Sequence, residues 1–285
     1  MNMNRRTFLA QATTAVAGIP WLNSLNAAQN STSATPAIRI GACVVNLDQA
    51  KKAGLDGVEV GVGGAADRLS IADPAVRQKY REQMSQTGLS ICSLMMGLLN
   101  EYPLASDPRG PAWLEQSIDA ARDLGARVIL VAFFGNGDLL DGNGKLKDAA
   151  VDVVVQRLKA AAPRARDAGV ILAIENYLNA EQNARILDRI NHESVQMYYD
   201  VFNTGATKGY DVPAELRFLK ERVVQIHFKN GPNYLENGQV KFEPIVAAIK
   251  EIQYRGWIVL ETSAPSKDPV ADVKRNADYA RRLLG

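Results

Sequence analysis

Eight short apolar runs of strand length recur between Ile38 and Glu261, and longer segments with helical spacing separate them. The runs are Ile38–Val45, Gly57–Val62, Leu89–Met95, Arg127–Phe134, Val170–Glu175, Val195–Val201, Val223–Phe228 and Trp257–Glu261. Helical spacing is clearest over Pro74–Thr87, Ala112–Leu124, Ala149–Ala168, Phe242–Tyr254 and Pro269–Leu284. A strand that is apolar throughout must be covered on both faces, which is the situation of a parallel sheet packed under helices. Gly54, Gly88, Gly125, Gly169 and Gly256 fall just after helical segments and before strands, where a left-handed residue ends a helix. The 248 residues from 38 to 285 divide into eight βα units of 31, the arithmetic of a closed barrel. A doubly wound sheet would alternate in the same way, but no Gly-x-Gly-x-x-Gly follows the first strand. The expected fold is α/β, a (β/α)₈ TIM barrel in a single domain over residues 38–285.

The N-terminus reads as an address rather than as part of that fold. Asn4-Arg5-Arg6-Thr7-Phe8-Leu9 precedes a mild apolar run, Ala10–Ala17, and a small-residue stretch ending near Ala28. A twin arginine before a modest apolar region, with no acidic residue before Asp48, is the pattern of a Tat export signal. A Sec signal or an ordinary amphipathic helix would fit the composition but not the Arg-Arg-Thr-Phe-Leu order. Residues 1–28 are thus expected to be a signal peptide, and 29–37, rich in Ser, Thr and Ala, a disordered spacer. The apolar part is too short to span a bilayer, and Gly18 and Pro20 interrupt it. The expected location is the periplasm or the exterior.

Charge and cysteine usage narrow the chemistry. The chain holds 33 Lys and Arg against 31 Asp and Glu. Without residues 1–28 the count is 31 against 31, so the barrel lacks the basic excess of a nucleic-acid binder. Two cysteines, Cys43 and Cys92, make no disulfide framework and no C-x-x-C motif, and read as buried free thiols. Two histidines, His192 and His227, exclude a His-rich metal cluster.

Barrel active sites lie at the C-terminal ends of the strands. Strands five to eight end in Ile174-Glu175-Asn176, Tyr199-Asp200, Ile226-His227-Phe228-Lys229 and Leu260-Glu261. One carboxylate after an apolar strand is commonly a helix cap. Glu175, Asp200, His227 and Glu261 at one height on four consecutive strands are a constellation. Three converging carboxylates repel one another, and a cation relieves that repulsion. Three carboxylates with one imidazole form a mixed oxygen and nitrogen site for one divalent ion, suited to Mn²⁺ and open to Mg²⁺, Co²⁺ or Zn²⁺.

On these residues the chain resembles the sugar phosphate isomerase/epimerase superfamily of xylose isomerase-like TIM barrels, over Ile38 to Gly285. The resemblance implies that Glu175, Asp200, His227 and Glu261 hold one divalent metal, commonly Mn²⁺, and that Glu175 and Glu261 are also catalytic, moving the substrate proton. It implies a substrate contact at Glu181, six residues beyond Glu175. Asn203 stands where ketose 3-epimerases carry a substrate-binding histidine, and Asn233 where they carry an arginine. Lys229-Asn230 stands where related barrels often read Lys-Asp. The metal set is whole, and the substrate contacts differ.

The expected reaction is removal of a proton α to a carbonyl, with the metal stabilising the enediolate. Return of the proton to the other face gives epimerisation, to the neighbouring carbon isomerisation, and loss of a β-group elimination, as in a lyase acting on 3-keto-glycosides. Lys229 would line the mouth and bind an oxygen or anionic group, or stand as a surface lysine. Glu59 reads as a contact behind the site, a substrate contact or a buried ion pair, and His192 as a surface residue. Tyr102 and Trp113 would stack on a sugar or simply pack, and the loop Gly135–Gly144 would form a lid or a flexible connection. Two other functions share the fold: an apurinic-endonuclease-like phosphodiesterase, which needs several histidines, and a non-catalytic sugar-binding barrel. The expected partners are a small-molecule carbohydrate, the Tat export machinery and, should the barrel self-associate, a homo-oligomer; no nucleic acid and no stable membrane span is expected.

Overall fold

The structure is a computed structural model that describes residues 38–285; the expected signal 1–28 and spacer 29–37 lie outside the described residues. Eight parallel strands close into a barrel in chain order. They are β1 (Arg39–Ala42), β2 (Gly57–Gly61), β3 (Ser90–Met96), β4 (Val128–Phe133), β5 (Ile171–Asn176), β6 (Val195–Asp200), β7 (Val223–Phe228) and β8 (Trp257–Leu260). Pairing of β1 with β8, Arg39 opposite Trp257 through Ala42 opposite Leu260, closes the ring and excludes the open doubly wound sheet. The helices are α1 (Leu47–Lys52), α2 (Pro74–Thr87), α3 (Gly110–Leu124), α4 (Asp148–Asp167), α5 (Ala180–Ile190), α6 (Val212–Leu219), α7 (Phe242–Glu251) and α8 (Pro269–Leu284). Among the described residues no helix is long and apolar enough to cross a membrane.

Alternation along each strand separates two cores. Ile129, Val131, Leu172, Ile174, Met197, Tyr199, Ile226 and Phe228 belong to the large core that also contains the buried faces of the helices. Val128, Leu130, Ala132, Ala173 and Tyr198 form a separate cluster, as do Cys92, Trp257 and Val259, and these two fill the barrel interior. Every inward position near the C-terminal mouth therefore faces other inward positions across the ring, whatever their distance in sequence.

The strand ends are shorter than the apolar runs. β1 stops at Ala42, so Cys43 lies just beyond it and is partly rather than fully buried. Gly54, Gly88, Gly125 and Gly169 take left-handed backbone as expected, with φ near +70°. Gly256 does not. The left-handed residue after α7 is Gln253, at φ 54°. Glycine is needed at 256 for closeness instead, because a Cβ there would lie 2.2 Å from the Tyr254 hydroxyl and 2.7 Å from the Val224 carbonyl oxygen.

Candidate active site

Three strands and one strand exit deliver the four residues. Glu175 is the penultimate residue of β5, Asp200 the last of β6, His227 the penultimate of β7, and Glu261 follows β8 directly. Asp200 stands level with His227 in the β6–β7 register, and the Glu261 N–H donates to the Phe228 carbonyl at 3.1 Å. One ligand atom from each of the four residues lies within 4.8 Å of every other. His227 Nδ1 sits 2.8 Å from a Glu175 oxygen, 3.6 Å from Glu261 and 3.9 Å from Asp200 Oδ2.

The two Asp200 oxygens differ. Oδ1 accepts the backbone N–H groups of Phe202, at 2.7 Å, and Asn203, at 2.6 Å, from the π-helical turn Phe202–Thr207. Oδ2 is buried, faces the cluster and has no hydrogen-bond partner. A buried carboxylate oxygen left unpaired costs free energy that a ligand would recover. Three carboxylates and an imidazole nitrogen converging on one point, with that oxygen free, fit a divalent ion.

The charges of the group are strongly perturbed. Burial pushes the Glu175 carboxyl up to about 7 and Asp200 up to about 6, against the favourable pull of His227. Burial also acts to raise Glu261, but His227 and Lys229 together hold it below the usual carboxylate range. His227 is held well above its usual value; burial opposes this, and the Glu175 and Glu59 carboxylates outweigh the burial. Lys229 Nζ donates to Glu261 Oε2 at 3.0 Å, so the lysine belongs to the site and is not a free surface residue.

Asn203 is buried and fixes Asp200 through its backbone N–H. Glu181 stands exposed in the first turn of α5 and contributes no atom to the cluster. Asn233 is exposed on the loop after β7, while Asn230 is buried and ties that loop through Leu235 and Val240. Trp113 is fully buried: its indole N–H donates to the Ala66 carbonyl, and its ring packs edge-on to Tyr102 beneath Arg109. These two aromatics pack. The loop Gly135–Gly144 is not a loose connection, because Asp141 accepts two backbone N–H groups and Leu139 and Leu140 are buried. His192 lies on a turn where its Nδ1 accepts the Ser194 N–H. The site thus contains a single imidazole, which does not match the several histidines of the phosphodiesterase alternative.

Beneath His227 lies a polar layer that sequence reasoning missed except for Glu59. Ser93, Tyr198 and Gln225 are all buried on the barrel axis side of their strands. Their signal was available: Tyr198 and Gln225 lie two residues before Asp200 and His227, on the same face of the strand. A cavity of about 710 Å³ opens at the opposite mouth, bordered by Arg39, Arg127, Lys220 and Arg255, below Gln225. It shares no residue with the carboxylate cluster.

Fold and site together define a single-domain (β/α)₈ barrel with one carboxylate–imidazole centre at the C-terminal mouth. Residues 47–283 match the family described as xylose isomerase-like TIM barrel, and the chain belongs to that family. L-ribulose-5-phosphate 3-epimerase UlaE of Escherichia coli strain SMS-3-5/SECEC is 28% identical over 268 residues, covering 87% of this chain and 92% of the relative. The structure of an L-ribulose 3-epimerase superposes with a TM-score of 0.71 at 19% identity, covering 87% of this chain and 95% of that one. The apo 3-keto-D-glucoside 4-epimerase YcjR from E. coli superposes with a TM-score of 0.71 at 14% identity, covering 86% and 99%.

Proposed function

We propose that this protein is a divalent-metal-dependent sugar isomerase or epimerase that moves a proton α to a carbonyl. The observation that carries the reading is the convergence of Glu175, Asp200, His227 and Glu261 around the unpartnered Asp200 Oδ2. The likeness to L-ribulose-5-phosphate 3-epimerase supports the reaction class. The donor set of three carboxylates and one imidazole favours Mn²⁺. A bound divalent ion would supply Lewis-acid stabilisation of the charge that grows on the substrate oxygen. Glu175 and Glu261 project from β5 and from the end of β8, with β6 and β7 between them. One takes the α-proton and the other returns a proton to the opposite face, which is epimerisation. The Lys229 ammonium keeps Glu261 in its basic form and presents its remaining N–H groups to a substrate oxygen. Asp200, tied by two backbone N–H groups, serves as a ligand. The twin-arginine N-terminus extends the proposal to export of the folded protein through the Tat route, and hence to free sugars or glycosides as substrates.

The test is solvent-deuterium incorporation into a panel of keto sugars and 3-keto-glycosides, with metal-stripped and Mn²⁺-loaded protein. Metal-dependent exchange at the carbon next to the carbonyl is the expected result. Saturable sugar binding without exchange on any member of the panel would leave the sugar-binding barrel as the function.

A further inference from the structure

We propose that Glu59 is the positioning residue of this centre, fixing the His227 ring so that Nδ1 faces the three carboxylates. The inference rests on the metal reading above for its consequence, but its geometry stands in the protein itself. Glu59 ends in the barrel interior on β2, and its side chain is fully buried, 168 residues from His227 in sequence. His227 Nε2 lies 3.1 Å from Glu59 Oε1. The other oxygen, Oε2, accepts the Ser93 hydroxyl at 2.7 Å and the Tyr198 hydroxyl at 3.0 Å.

Counting hydrogens assigns the roles. The Gln225 side-chain amide has only donors on its nitrogen, and that nitrogen lies 2.6 Å from Ser93 Oγ and 3.1 Å from the Tyr198 hydroxyl. Both hydroxyl oxygens therefore accept from Gln225, and each has one hydrogen left, which goes to Glu59. A carboxylate that accepts these two hydrogens at Oε2 presents an acceptor at Oε1, so His227 carries a hydrogen on Nε2. Nδ1, 2.8 Å from a Glu175 oxygen, is then the nitrogen that faces the ligand cluster and would offer its lone pair to a bound ion. Tyr198 also packs against the imidazole, with ring centroids 4.5 Å apart, so the layer restrains both ring rotation and tautomer. A histidine ligand whose second nitrogen donates to a carboxylate gains basicity and orientation, and loss of that partner weakens metal binding about 10- to 100-fold.

A competing assignment is available, because Cys43, Glu59 and His227 also have ligand atoms within 4.8 Å of one another. A second ion held there would use Nε2 as a ligand instead of as a donor. The hydrogen count at Oε2 argues against it, since that oxygen already accepts the Ser93 and Tyr198 hydroxyls and leaves only Oε1 for an ion.

The experiment measures Mn²⁺ binding calorimetrically on stripped wild type, Glu59→Gln and Tyr198→Phe, and records imidazole nitrogen spectra of Mg²⁺-loaded and metal-free protein. With only two histidines, His192→Gln assigns the remaining signals to His227. One ion per chain, a dissociation constant raised about 10- to 100-fold in Glu59→Gln, and loss of the protected His227 Nε2–H signal are expected. Tyr198→Phe keeps the carboxylate and removes one donor, so a few-fold weakening is expected, and this variant carries the test should Glu59→Gln fail to fold. Affinity within twofold of wild type in both variants, with an unchanged Nε2–H signal, would reduce Glu59 to a buried acid and overturn the proposal. Two ions in wild type falling to one in Glu59→Gln would overturn it in favour of the second metal site. Absence of any metal binding by wild type would remove the metal reading alone; the spectra of the metal-free protein would still decide whether Glu59 fixes the ring.

Discussion

At the scale of single residues, the proposed mechanism separates groups that hold from groups that also move protons. Glu175→Gln and Glu261→Gln keep volume and one carbonyl oxygen but remove the basic carboxylate. Each should weaken binding of the proposed metal, and Mn²⁺ raised well above the new dissociation constant should restore occupancy. Activity of both should still remain at least about 10²-fold below wild type, the lower end of what acid–base catalysis contributes. Asp200→Asn alters a group whose Oδ1 only accepts backbone N–H bonds, so it should recover most of its activity at saturating Mn²⁺. Steady-state rates across a Mn²⁺ titration check this, and equal recovery of all three variants would remove the two-base mechanism. The four clustered residues were legible because each is a polar interruption at the end of an apolar run. Glu59 was visible but its readings could not be told apart: the β2–β3 register slips between Val58 and Glu59, and no local pattern reveals which way a residue beside a bulge will point.

At the scale of elements, the barrel was readable because its strands are continuous apolar runs and five of its helices, α2, α3, α4, α7 and α8, show their faces. α1 and α6, of 6 and 8 residues, are too short for periodicity to speak, and α5, of 11 residues, was missed although Ile186, Leu187 and Ile190 form its buried face. Their caps were the available signal: Asn46 with Gln49, Asn179 with Gln182, and Asp211 accepting the Ala214 N–H. The inter-element glycines look alike in sequence and differ in physics, which gives a paired prediction. Gly54 has φ +71° and open space where a Cβ would go, so Gly54→Ala should cost only the left-handed backbone term, about 1 kcal/mol. Gly256→Ala meets the Tyr254 hydroxyl, which is itself bonded to the Trp257 carbonyl at 2.7 Å, and should cost about 2 kcal/mol through overpacking. Urea unfolding midpoints order the two, and a larger loss at Gly54 would reverse the assignment.

At the scale of the whole molecule, the proposed export route and the proposed metal site would be linked, because a Tat substrate crosses folded and can carry an ion acquired beforehand. Replacing Arg5 and Arg6 together by Lys should trap full-length folded protein inside the cell; normal export of the double variant, followed by fractionation and immunoblotting, would favour a Sec signal. A metal held by these acids would also couple to pH through the whole fold. Burial raises Glu175 to about 7 and Asp200 to about 6, so in the metal-free protein the folded state holds these protons more tightly than the unfolded chain does. Their stabilising contribution is present at low pH and lost as pH rises through about 6 to 7. Metal binding has the opposite sign, since the ion requires the carboxylate form and competes with the proton. For Glu175 alone, moving from pH 8 to pH 6 changes the competent fraction, and hence the Mn²⁺ affinity, by about tenfold, equivalent to about 1.4 kcal/mol. The rise in melting temperature on adding a fixed Mn²⁺ concentration should therefore be larger at pH 8 than at pH 6, while the melting temperature without metal contains a falling contribution from the two acids. Asp200→Asn removes one of the two titrating acids and should flatten both trends. A Mn²⁺-induced shift that is equal at the two pH values would mean that Glu175 is not displaced from its proton by the ion, and would take it out of the ligand set.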